Sequence, residues 1–119
     1  MSVDYSIDEE LVVVTPYGFN AFDDMSNVFK KIISDPAVNA PIKILFDARH
    51  TDYGPPSEEL EALAEFLGKL DAFRGSRWAI VAHPETLVFG LARMFCCFAE
   101  SQAMVADTFT DDNAARAWL

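Results

Sequence analysis

The sequence predicts a single α/β domain built on a mixed, mostly parallel five-stranded sheet, with elements in the order β-β-α-β-α-β-α-β-α. Three observations lead there. Short apolar, β-branched runs recur along the chain, and segments with a 3.6-residue apolar stripe separate them. Only a short polar turn divides the first two runs, which makes the opening pair an antiparallel hairpin. At 119 residues the chain can bury one core and is too short for two domains.

Taking the elements in order, Val3, Tyr5 and Ile7 alternate with Asp4, Ser6 and Asp8, the period of a half-exposed strand. Leu11-Val12-Val13-Val14-Thr15 follows, and its β-branched run predicts burial on both faces. From about Asn20 to Ser34, Phe22, Met25, Val28, Phe29, Ile32 and Ile33 form one helical stripe. Asn20 is the expected N-cap, and Asp35-Pro36 ends the helix. Residues 42–47 form the third strand. A helix over residues 57–70 comes next, with Ser57 as its expected N-cap and Glu58 and Glu59 in its first turn. Residues 78–82 are the fourth strand, and a helix runs from residue 84 or 85 to 100. Residues 104–109 are the fifth strand, and Thr110 is the expected cap of a terminal helix over 111–119.

Composition narrows the function classes. A formal net charge of −10 argues against DNA or RNA, whose phosphates need a Lys/Arg surface, and against an anionic membrane surface. No apolar run reaches the ~18–20 residues of a membrane span, and Met1 to Asp8 lacks the charged and apolar regions of a signal peptide. Cys96 and Cys97 are adjacent, a poor arrangement for a structural disulfide, so a cytoplasmic protein with reduced thiols is expected. Glycines are scattered singly, which excludes a phosphate-cradling loop, and the histidines lack metal-ligand spacing. No cofactor and no metal are therefore expected.

Three stretches carry a family resemblance. They are Ile42 to Asp47 leading to Ser57-Glu58-Glu59-Leu60, Trp78-Ala79-Ile80-Val81 leading to the segment Phe89 to Phe95, and the ending Phe109 to Leu119. Together they resemble the SpoIIAA-like proteins of the STAS superfamily, small bacterial domains named after the anti-sigma-factor antagonists. The resemblance covers nearly the whole chain. It implies a mixed sheet of about five strands with helices, related also to the CRAL-TRIO lipid-transfer fold, and no catalytic signature. In the antagonists a serine after an Asp, at the start of the helix following the third strand, is phosphorylated. Ser57, preceded by Pro55 and Pro56, is its positional counterpart here and a candidate modification site, although the Asp-Ser pair is missing.

The richest polar cluster, Asp47, Arg49, His50, Thr51 and Asp52, follows the carboxyl end of the third strand. Open α/β sheets usually place ligands there, and His83 at the end of the fourth strand is expected at the same rim. A carboxylate, imidazoles and a guanidinium together suit acid–base work or anion binding. The bland alternative is a solvated loop whose Asp47 caps backbone N–H groups and pairs with Arg49.

The third helix is apolar over an arc of roughly 200°, wider than the ~100° of one sheet contact. Leu87, Leu91, Met94, Phe95 and Phe98 form its expected core face; Phe89 and Cys96 fall on the other side with Arg93 and Glu100, as candidate interface residues. Such a helix is either wedged between layers or faces another surface. The leading expectation is a non-enzymatic domain that binds a protein partner or a second copy of itself, as a homo-oligomer such as a dimer. The alternatives are a carrier of a small apolar ligand or lipid, and a small enzyme using Asp47, His50 and His83.

Overall fold

The computed structural model describes residues 2–18, 22–51 and 55–119. Phe19, the expected cap Asn20 and the candidate ligand residue Asp52 lie outside the described residues. The strands β1 (Ser2–Asp8) and β2 (Leu11–Tyr17) form the antiparallel hairpin, with Asp8 opposite Leu11. Glu9 takes a φ of 59° at its turn, the left-handed geometry that short hairpin loops require. Then follow α1 (Phe22–Ser34), β3 (Lys43–Asp47), α2 (Ser57–Gly68), β4 (Arg77–Val81), α3 (Leu87–Glu100), β5 (Val105–Phe109) and α4 (Asp112–Trp118).

The five strands lie side by side in chain order, β1-β2-β3-β4-β5, and β2 to β5 are parallel. Parallel crossovers are right-handed as a rule, and the three here all advance in one direction. They place α1, α2 and α3 on a single face of the sheet. α4, which follows the last strand, packs on β4 and β5 from the other face.

Strand pleating sorts the side chains between the two layers. Val12, Val14, Ile44, Trp78 and Ile80 join the main core beneath the three helices, while Leu45, Ala79 and Val81 meet Ala115 of α4. Trp78 is the hub of the main core. Its ring lies 5.2 Å from Phe29 and 5.7 Å from both Phe73 and Phe95, and its indole N–H donates to the buried Ser76 Oγ at 2.7 Å. A buried indole without that acceptor would cost about 1–3 kcal/mol.

Several sequence expectations are corrected. β2 is fully buried on one face only: Val12 and Val14 are covered, whereas Leu11, Val13 and Thr15 are half-buried. The reason is that α4 has only seven residues and packs over β4 and β5. Ser57 does not cap α2; Pro56 holds that position, without a side-chain hydrogen bond, and Ser57 is exposed in the first turn. The cap of α4 is Asp111 rather than Thr110, its Oδ2 accepting from the Ala114 N–H at 3.1 Å.

α3 is rotated by about one residue relative to the expected phase. Its buried residues are Ala92, Phe95 and Ala99, flanked by Val88, Leu91 and Phe98, whereas Leu87 and Met94 are exposed. Phe89 and Cys96, expected on an outer interface, are half-buried against the main core, while Arg93 and Glu100 are exposed. The wide apolar arc is used because α3 packs against both α2 and β5.

Candidate functional site

Two concavities meet where the carboxyl ends of the parallel strands run into their loops. The first is an apolar cavity of about 120 Å³ between the helices and the sheet. The sheet contributes Phe46, Trp78 and Ile80 to its lining, and α1 contributes Phe22, Met25 and Phe29. α2 adds Leu60 and Leu63, and α3 adds Val88, Leu91, Ala92 and Phe95. Among the described residues, Thr51 and Glu59 are the polar ones in the lining.

The second is an open cleft of about 630 Å³. It is lined from the loops after β2, β3 and β4 and from the first turn of α3, including Arg49, His50, Thr51, His83 and Thr86. Ala48, Thr51 and Val88 line both spaces, so the greasy cavity and the polar cleft adjoin.

The rim is organised by Asp47, whose side chain is 12 % exposed at the end of β3. Its Oδ1 accepts from the Arg49 backbone N–H at 3.1 Å and from Arg49 Nε at 2.8 Å, and its Oδ2 accepts from Arg49 Nη2 at 2.9 Å. Burial opposes ionisation of Asp47, but the hydrogen bonds and charge of Arg49, with a smaller contribution from His50, outweigh it. The carboxyl is held below its ordinary range. Asp47 thus does what the bland reading expected, capping the loop backbone and pairing with Arg49.

His50 Nε2 stands 3.6 Å from Asp47 Oδ2, beyond hydrogen-bond reach, and the His50 ring stacks on Tyr17 at 5.5 Å. Gly18 adopts a φ of 63°, which glycine takes without strain, and this turns the β2 loop toward the β3 loop. The Gly18 N–H donates to the His50 carbonyl, and Thr51 Oγ1 donates to the Gly18 carbonyl. These contacts tie the two loops together beside the mouth of the apolar cavity. His83 follows β4 with its ring exposed, and the Thr86 hydroxyl donates to its carbonyl at 2.8 Å while capping the Phe89 N–H at 3.1 Å.

Arg49, His50 and His83 therefore line one cleft, with Asp47 behind it. The interface candidates do not form a common surface, since Phe89 and Cys96 are packed inward. Burial pushes the Cys96 thiol up to about 12, whereas Cys97 on the next position is exposed. Among the described residues no group of three metal-ligating side chains occurs. No described helix is long and apolar enough to cross a membrane. The apolar cavity was not assembled from the sequence. Its only signal there was the abundance of phenylalanine, because its walls come from six elements distant in the chain.

No protein-family model and no curated protein matches the sequence. Among solved structures the chain is similar to an uncharacterised protein of the DUF3478 family with a SpoIIAA-like fold, from Shewanella loihica PV-4. The two share 18 % identity at a TM-score of 0.66, over 99 % of this chain and 92 % of that one. At that identity the likeness speaks for architecture alone, and it agrees with the strand order and helix placement described above: this chain has a SpoIIAA-like, STAS-type fold.

Proposed function

We propose that this domain binds a small apolar ligand in the cavity between α1, α2, α3 and the sheet, and works without catalysis of its own. One observation carries the reading: a space of about 120 Å³ walled almost wholly by aromatic and aliphatic side chains. An apolar ligand seated there removes these walls from water, which is favourable by about 25 cal/mol per Å² of apolar surface. Apolar cavities of similar size stay dry and accept single-ring hydrocarbons. The rim chemistry supports binding over catalysis, since Asp47 is committed to Arg49 by two side-chain hydrogen bonds.

The test is titration with benzene or indole, followed by methyl and indole N–H resonances in the NMR spectrum. Saturable shifts confined to the residues around Trp78, Leu63 and Leu91 are expected. No shift at millimolar probe sinks the reading.

Partner binding is the second reading, favoured by Leu87 and Met94, which are 70 % and 38 % exposed on the outward side of α3. That side also carries Gly90, Arg93, Cys97 and Glu100, so its apolar surface is broken by polar and charged groups. Light scattering behind size-exclusion chromatography tests self-association. A mass that stays at 13.2 kDa up to high concentration removes the homo-oligomer.

A further inference from the structure

The wall shared by the two concavities suggests what the ligand carries at its other end. We infer that the ligand is an amphiphile, with a short apolar tail or single ring in the cavity and an anionic head in the cleft beside His50 and His83. This rests on the apolar-ligand reading above and adds the head group to it.

Three observations lead to the anion. The first is adjacency: Ala48, Thr51 and Val88 border both spaces, so a molecule seated in the cavity and leaving by Thr51 enters the cleft at once. The second is charge. The chain carries 19 acidic against 9 basic residues, yet the titratable described side chains lining the cleft are Arg49, His50 and His83. Both histidines of the chain are there. Two acids beside Arg49 are engaged: Asp47 holds it in a bidentate pair, and Asp112, whose Oδ1 is 3.9 Å from Arg49 Nη2, accepts from Arg116 Nε at 2.8 Å through its Oδ2.

The third is the backbone. The first turn of α3 lines the cleft through Thr86, Leu87 and Val88, and Thr86 Oγ1 already satisfies Phe89. Helix starts leave such early N–H groups without intrahelical acceptors, and their dipole favours a negative charge. Imidazoles and the start of a helix lining one cleft beside an apolar cavity fit a carboxylate or a phosphate monoester. The cavity accommodates a tail of about six carbons or one ring.

The test compares hexanol, hexylamine, hexanoate and hexyl phosphate by calorimetry and NMR on the full chain. Their tails are identical, so the head alone sets the differences. Hexanoate or hexyl phosphate is expected to bind at least tenfold more tightly than hexanol, with hexylamine weakest; which anion leads tells carboxylate from phosphate. The double variant His50→Gln, His83→Gln is expected to erase the anion preference and keep the hexanol affinity, which also reports that it is folded. If the anions bind no better than hexanol, or the double variant keeps the preference, the head assignment is overturned and the apolar site stands. If hexanol and benzene both fail to bind, the apolar-ligand reading falls and this one falls with it.

Discussion

Asp47 shows how one carboxylate can organise a whole rim. It is largely buried, joined to Arg49 by side chain and backbone, and its ionisation is favoured in the folded state. A depressed carboxyl contributes stability that is present above its ordinary value of 3.8 and lost as the pH falls through the folded-state value. Asp47→Asn is therefore expected to lower stability at neutral pH by about 2 kcal/mol, through loss of the charge-assisted pair. It should also flatten the loss of stability below about pH 4. Urea melts of both proteins across that range check it, and an unchanged acid limb would remove Asp47 as its source. The adjacent cysteines separate just as sharply, because successive helical residues point about 100° apart. With the Cys96 thiol raised to about 12 and Cys97 exposed, iodoacetamide at neutral pH should label Cys97 and spare Cys96, as read by peptide mass mapping.

At the scale of elements, strands were legible because their alternation is set by the peptide geometry, and helices because most have one apolar stripe. Caps and phases were less so. Thr110 and Asp111 are both good capping residues, and only the backbone path shows that Asp111 turns toward Ala114. α3 is apolar at so many positions that hydrophobic periodicity cannot set its rotation. The observed rotation buries Ala92, Phe95 and Ala99 and leaves Leu87 exposed. The end of α3 also carries local strain. Ala103 stands at a φ of 62°, with the Met104 N–H returned to the Ala99 carbonyl at 3.2 Å and the Ala103 carbonyl accepting from Gly75 at 2.8 Å. Left-handed backbone costs an L-residue roughly 1–2 kcal/mol and glycine far less. Ala103→Gly is thus expected to raise stability by about 1 kcal/mol in denaturant melts. A loss would mean that the alanine methyl makes compensating contacts.

For the whole molecule, chain-order topology has a consequence for where ligands go. Doubly wound sheets bind at the strand ends where the order reverses. Here the order never reverses, so three helices crowd one face and a single short helix covers part of the other. Closing three helices over a twisted sheet leaves space at their common centre, above Trp78 and Ile80, and that space is the apolar cavity. The polar rim was legible from the ends of β3 and β4, but the cavity depends on helix separations that no local pattern encodes. If it is a retained void, filling it from within must stabilise the fold while closing the site. Ala92 lies in the wall on α3, 8 % exposed, with the cavity in front of it. Ala92→Leu is expected to raise stability by about 1–2 kcal/mol, the scale of burying two or three added carbons, and to abolish benzene binding. An ordinary well-packed core would respond oppositely, since overpacking costs about 1–3 kcal/mol. Paired thermal melts and probe titrations of the two proteins separate these cases. Higher stability together with lost binding marks a site kept open at a cost to the fold, whereas lower stability means that the helices already meet at the centre.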